Sequence, residues 1–333
     1  MIFLKSRVLN LALLLAIAVM TPSLVKAQAQ AMSEIPLGSG SSGGTIATMS
    51  GFGGDLSSTS STANSSGPEA AAFDGTYVWV ATQFSNSITR LKASDGSVAG
   101  TFKVGNRPVA LLYAGGSLWV ANLLSDNVMK VNPGTGAIAG TYNTGTGPGG
   151  LAYDGANVWV SNRDSNSVTK IRAKDGANLG TFAVGKRPMG LAFNASSIWV
   201  ANNFGDSVTR LSLAGAVLGT YPVGKGPFGV AAQGTNVWVT NYFGKTVTKL
   251  RASDGFNLGT FTVGDGAAGI AFDGTSVWVV NNGDSTVMKV NPSSGSVVTT
   301  YGTGKGPFSV VFDGSRIWVP NFGSNSVSMT AAN

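Results

Sequence analysis

The chain contains seven tryptophans, Trp79, Trp119, Trp159, Trp199, Trp238, Trp278 and Trp318. They stand 40, 40, 40, 39, 40 and 40 residues apart. Each occupies the same slot of a short apolar run, as in Val158-Trp159-Val160-Ser161-Asn162. A fixed period of this length marks a repeat architecture, in which one unit buries its apolar face only against the next. Length alone, 333 residues, suggests about two domains. The period overrules that, because an array of repeats behaves as one body.

The third unit shows the local plan. Leu151-Ala152-Tyr153 is a first apolar run, and Asp154-Gly155 is a tight-turn signal. Val158-Trp159-Val160 is the second run, closed by Asn162. Val168-Thr169-Lys170-Ile171 is the third, and Leu179-Gly180-Thr181-Phe182 the fourth, with the turn Lys174-Asp175-Gly176 between them. These connections are too short for parallel crossovers, so each unit is an antiparallel four-stranded meander. Four-stranded meanders at this period are the building unit of a β-propeller. The sequence therefore predicts an all-β fold, a seven-bladed β-propeller over residues 67–333.

Composition agrees with many short strands and tight turns: 47 Gly, 43% apolar and only 11% charged residues. The chain has no Cys and no His. Disulfides and Cys- or His-based zinc sites are excluded, and so is the commonest general base. No catalytic constellation, metal site or cofactor site emerges. The turn carboxylates are a whole turn or a whole blade apart, unlike a calcium loop.

Residues 1–29 read as a cleaved export signal. Lys5 and Arg7 precede the apolar stretch from Val8 to Met20, and Ala27-Gln28-Ala29 supplies small residues for cleavage. The apolar run is shorter than the roughly 20 residues that span a bilayer. No transmembrane span is expected in the mature chain, and a periplasmic, secreted or cell-surface location follows. Formal charge is +7, falling to +4 without Lys5, Arg7 and Lys26, which gives no reason to expect a specific nucleic-acid partner. Residues 30–66 read as a Ser/Gly-rich linker. Within it, Gly44-Thr45-Ile46 matches the Gly-Thr-aromatic start of the fourth strands. The seventh unit ends after its third strand, so residues 44–49 are expected to supply the missing outer strand beside Ser326–Met329 and close the ring.

The recurring residues read as architecture. The tryptophans are expected to pack sheet on sheet. Asn122, Asn162, Asn202, Asn241, Asn281 and Asn321, with Thr82 in the first unit, are expected to shape strand ends. Arg90, Lys170 and Lys249 each precede a turn Asp by five residues and are expected to form screened surface pairs with it.

Val237-Trp238-Val239-Thr240-Asn241 resembles the signature of the YVTN β-propeller repeats, with Trp in place of Tyr. The Asp-Gly, Asn-Ser-Val-Thr and Gly-Thr-Phe features are similar to the same family and to NHL-type and streptogramin-lyase-type propellers. The resemblance covers residues 67–333 and implies architecture more than activity. Lyase-type chemistry implies His and Glu on one face; this chain has no His, and its two Glu are Glu34 and Glu69.

A propeller presents two faces. The face formed by the blade links and second-to-third-strand loops gathers cations and aromatics. Candidate ligand-binding residues are Arg163, Lys186, Arg187, Met189, Lys225, Phe228, Tyr242, Phe243, Lys245, Lys305 and Phe308, centred where blades three to five meet. The functional expectation is a non-catalytic, monomeric binding module for an anionic or carbohydrate ligand, such as an anionic polysaccharide or envelope component, or for a protein partner. A surface-layer-like structural role is the alternative.

Overall fold

The computed structural model describes residues 30–37 and 66–332. Seven antiparallel sheets follow one another along the chain, each with the order inner to outer strand that the repeat dictates. Blade three is typical, with strands Pro148–Tyr153, Asn157–Asn162, Ser167–Arg172 and Asn178–Ala183. Neighbouring inner strands touch all the way round, and the seventh touches the first, so the sheets close into a propeller ring. Burial follows the pattern: second strands read almost wholly buried, while fourth strands alternate exposed and half-buried.

All seven tryptophans are fully buried. Trp159 packs against Leu191, Ile198, Val200 and Leu211 of the next blade, the sheet-on-sheet role the sequence predicts. Phe182 of its own blade joins the same layer, ring centroids 5.8 Å apart. Phe182 in turn lies under Gly215 of the next blade, where an added Cβ would come within 2.0 Å of the ring. Gly215 also has φ +92°, so that turn admits glycine on both counts.

The Asp-Gly turns do more than turn. Asp154 Oδ1 accepts from the backbone N–H groups of Ala156 and Asn157, and Oδ2 accepts the Trp159 indole N–H at 2.8 Å. Asp74, Asp273 and Asp313 hold Trp79, Trp278 and Trp318 in the same way, and Gln233 serves Trp238. Blades two and four carry Ala114 and Asn194 at that slot, and the indoles of Trp119 and Trp199 have no hydrogen-bond partner among the described residues. The asparagines after the tryptophans are buried. Asn162 donates to Ser167 Oγ and Thr169 Oγ1, while Asn202 Oδ1 accepts from Gly185 in the blade link.

Arg90, Lys170 and Lys249 correct the sequence reading. Asp175 and Asp254 pair instead with Arg172 and Arg251, on the exposed turn. Lys170 stands 5.0 Å from the Trp159 ring centroid and donates to the Leu213 carbonyl of the next blade at 2.6 Å. Arg90, Lys130, Arg210, Lys249 and Lys289 each repeat this reach, over their own Trp and onto the following blade. At the seventh junction Met329 fills the slot, and Arg316 donates to the Ala93 carbonyl of the first blade instead.

An N-terminal strand closes the ring, but not the stretch the sequence singled out. Ser33–Pro36 pairs antiparallel with Ser326–Ala331, Ser33 opposite Met329 and Pro36 opposite Ser326. Residues 44–49 lie outside the described residues, as do residues 1–29, and the edge expected for 44–49 is held by Ser33–Pro36. Ile35 takes the place of the outer-strand aromatic, filling the space above Gly96 where an added Cβ would meet it. Just before it, Gln30–Ala31 pairs parallel with Tyr301 and Gly302, adding a fifth strand to blade six. The missed match has a physical reason: Ser-Glu-Ile-Pro lacks the Gly-Thr-aromatic start, and pairing through the backbone does not require it.

Candidate functional site: the channel mouth on the link face

Each blade link reaches its inner strand through one residue in the left-handed region. In five blades that residue is glycine: Gly67, Gly147, Gly226, Gly266 and Gly306, with φ between +59° and +67°. In the other two it is arginine, Arg107 at φ +57° and Arg187 at φ +52°. A side chain at such an angle strains the backbone, at a cost on the order of 1 kcal/mol. The site holds them in place: Asn86 Oδ1 accepts the Arg107 N–H and Asn166 Oδ1 the Arg187 N–H.

These arginines meet a third. Arg163 leaves the loop after the second strand of blade three and pairs with Asp164 at 3.0 Å. Arg163, Asp164, Asn166, Lys186, Arg187 and Phe204 line one depression. Arg187 lies 4.4 Å from the Phe204 ring centroid. Arg107 donates its Nε–H to Gln83 Oε1 at 2.6 Å. Glu69, on the innermost strand of blade one, is hemmed in by protein yet keeps access to the channel. Burial pushes its carboxyl up to about 7, against the pull of Arg107 and Arg163. Burial also draws Arg107 and Arg187 below the usual guanidinium value, Glu69 opposing this at Arg107, and Arg163 adds like-charge repulsion to both.

The other side of the mouth is aromatic. Phe84, Phe322, Phe308, Phe228, Tyr242 and Phe243 form an unbroken arc, successive centroids 5.4, 5.9, 6.3, 5.8 and 5.3 Å apart. Phe84 and Phe243 are half exposed at the ends, and Phe308 is nearly buried in the middle. Burial, with Asp265 nearby, pushes the Tyr242 phenol up.

Of the residues singled out in the sequence, Arg163, Lys186 and Arg187 come together in one depression, and Phe228, Tyr242, Phe243 and Phe308 in the aromatic arc. Lys225 and Lys305 are exposed at the loop tips. Lys245 pairs with Asp265 at 3.0 Å. Met189 offers its carbonyl to Ser161 Oγ, and its side chain is half-buried. Sequence reasoning missed Glu69 as a site residue. The signal was present: the slot after the link proline holds Val109, Gly149, Met189, Phe228 and Phe308 in other blades, and only blade one places a charge there.

No protein-family model matches the chain, and no curated protein matches it in sequence. Solved structures do resemble it. Kuenenia stuttgartiensis hydrazine synthase has a chain that is 19% identical, with a TM-score of 0.76, covering 84% of this chain and 99% of that one. A streptogramin B lyase is 18% identical, with a TM-score of 0.70 over 80% of this chain and 94% of the lyase. A catalytically inactive virginiamycin B lyase from Staphylococcus aureus, solved with quinupristin, is 17% identical, with a TM-score of 0.69 over 81% and 97%. At these identities the likeness is one of fold, and the fold is the seven-bladed β-propeller.

Proposed function

We propose that this propeller is a non-catalytic binding module, exported by its N-terminal signal, whose link face takes an anionic ligand at the channel mouth. Its repeats belong on this reading with the YVTN type. The observation that carries the binding role is the pair Arg107 and Arg187. Strained backbone held in place by surrounding hydrogen bonds is a recognised mark of sites under functional demand. Five blades solve the same turn with glycine, and the two exceptions both place a guanidinium beside Arg163 at the channel. Arginines at a mouth walled by apolar side chains attract anions more strongly than the same charges on open surface.

Replacing Arg107 and Arg187 with Gly tests this directly. The turn accepts glycine, so the double variant should melt no lower than the parent and retain the fold. Its binding to a panel of organic sulfonates and polygalacturonate, followed by calorimetry at low and high salt, should fall sharply. Replacing Lys92 and Lys174, exposed on the opposite face, should change binding little. Equal losses in the two variants would mean unspecific attraction to a basic protein and would end the assignment.

A further inference from the structure

The link face offers two unlike halves, and their arrangement narrows the ligand. The arginine half holds Arg163 and Arg187 in one depression of blades three and four, alongside Asp164, with Arg107 of blade two near enough to act on Arg163. The aromatic half runs from Tyr242 through Phe228, Phe308 and Phe322 to Phe84, across blades five, seven and one. The halves meet at blade one, where Gln83, bonded to Arg107, is the chain neighbour of Phe84. A ligand across the mouth would touch cations on one side and ring faces and edges on the other.

We propose that the mouth is built for a small organic anion carrying an aromatic ring, its acidic group on Arg107, Arg163 and Arg187 and its ring against Phe228, Phe308 and Phe322. This rests on the anion-binding reading above and adds the chemical class. An acidic sugar is the obvious competitor, since sugars also stack on aromatic rings. The polar groups among the rings decide against it. Tyr242 donates its hydroxyl to Asn282 Oδ1, Asn282 donates to the Pro307 carbonyl, and Asn203 donates to the Pro227 carbonyl. These side chains spend hydrogen bonds on the scaffold, and the phenylalanines offer none. A sugar laid there would lose water from its hydroxyls without full replacement, which costs affinity. An aromatic ring has no such hydroxyls and gains edge and face contacts.

Isothermal calorimetry on the full chain separates the cases. The probes are naphthalenesulfonate, methanesulfonate as an anion without a ring, naphthalenemethanol as a ring without a charge, and glucuronate. Naphthalenesulfonate should bind at one site roughly ten-fold or more tighter than each of the others, since it alone engages both halves. Phe228→Leu should weaken it roughly ten-fold with its salt dependence intact, whereas Arg163→Gln should weaken it and flatten that dependence. Phe322→Leu, half-buried in the same arc, repeats the ring test if Phe228→Leu melts early. Methanesulfonate or glucuronate binding as tightly as naphthalenesulfonate, with the arginines still required, would overturn the aromatic class and leave the anion site standing. Failure of all three anions to bind would overturn both.

Discussion

The Lys170 ammonium lies 5.0 Å from the centre of the Trp159 ring and donates to the Leu213 carbonyl in the next blade. One side chain thus covers the core aromatic of its own sheet and fastens the following one. Lys170→Met keeps most of the aliphatic packing and removes both polar contacts. It should lower stability by about 1–2 kcal/mol. Arg172→Met, which breaks only an exposed pair with Asp175, should cost less than about 0.5 kcal/mol. Chemical denaturation of the two variants side by side checks the difference, and equal effects would return Lys170 to the surface role its sequence position suggests.

Asp154 gathers the turn and the tryptophan indole onto one carboxylate. Burial alone would raise its pKa, but hydrogen bonds from Asn157, Trp159 and the turn amides outweigh it and hold the value below the ordinary range. Asp273 and Asp313 show the same balance. A depressed carboxylate stabilises the fold above its unfolded value, about 3.9, and that contribution is lost as pH falls through the folded value. The protein should therefore lose stability steeply in acid below about pH 4. Asp154→Ala should cost roughly 2–3 kcal/mol at neutral pH and flatten the acid limb. An acid limb unchanged in the variant would show that this carboxylate does not contribute to it.

Much of this fold is legible in the sequence because its strongest signals are local and repeated. Trp159 announces its slot by period, and Asp154-Gly155 and Asp175-Gly176 announce turns by chemistry. What is not legible involves partners from distant blades. Lys170 and Asp175 share a turn in sequence, yet the strand directs Lys170 across its own Trp toward Leu213, 43 residues on. The closing strand fails for a related reason. Gly44-Thr45-Ile46 matches the repeat by letter, while Ser33–Pro36 occupies the edge by backbone pairing and one well-placed Ile35. The site is half legible. The arginines and phenylalanines stand out as loop residues and Glu69 as the one charge after a link proline, but the φ of Arg107 and Arg187 and the burial of Glu69 follow only from the ring geometry.

The junction at Ile35 is where the two ends of the chain meet. Ile35 packs over Gly96 in blade one and contacts the cluster built on Val78, Leu91, Trp318 and Val327. Glu34 accepts from Ser326 Oγ, and Asn325 bonds the backbone of both Leu37 and Ser66. Ile35→Asp would put a charge into this apolar contact and should release the strand, exposing the edge of Ser326–Ala331. We expect a clear fall in melting temperature together with concentration-dependent association as the open edge recruits another chain. Ile35→Val should cost only about 1 kcal/mol and leave the protein's association state unchanged. A monomeric, undiminished Ile35→Asp variant would show that the ring holds without this strand.

Glu69 gives the channel mouth a pH dependence of its own. Its pKa in the folded protein is about 7, raised from 4.5 by burial despite Arg107 and Arg163. A carboxyl whose value rises on folding stabilises the protein most below the unfolded value, and that contribution is lost as pH rises through the folded one. Stability should therefore decline between about pH 5 and pH 8, and Glu69→Gln should flatten this window. Ligand binding should move in the same direction. Below pH 7 Glu69 is neutral and no longer competes for Arg107 and Arg163, while the Arg163–Asp164 pair persists. Above it the carboxylate both occupies them electrostatically and repels the ligand. Naphthalenesulfonate affinity should thus weaken as pH rises from 6 to 8 in the parent and stay level in Glu69→Gln. A parent affinity that is flat over this range would mean that Glu69 does not face the bound anion, even if the stability profile behaves as expected.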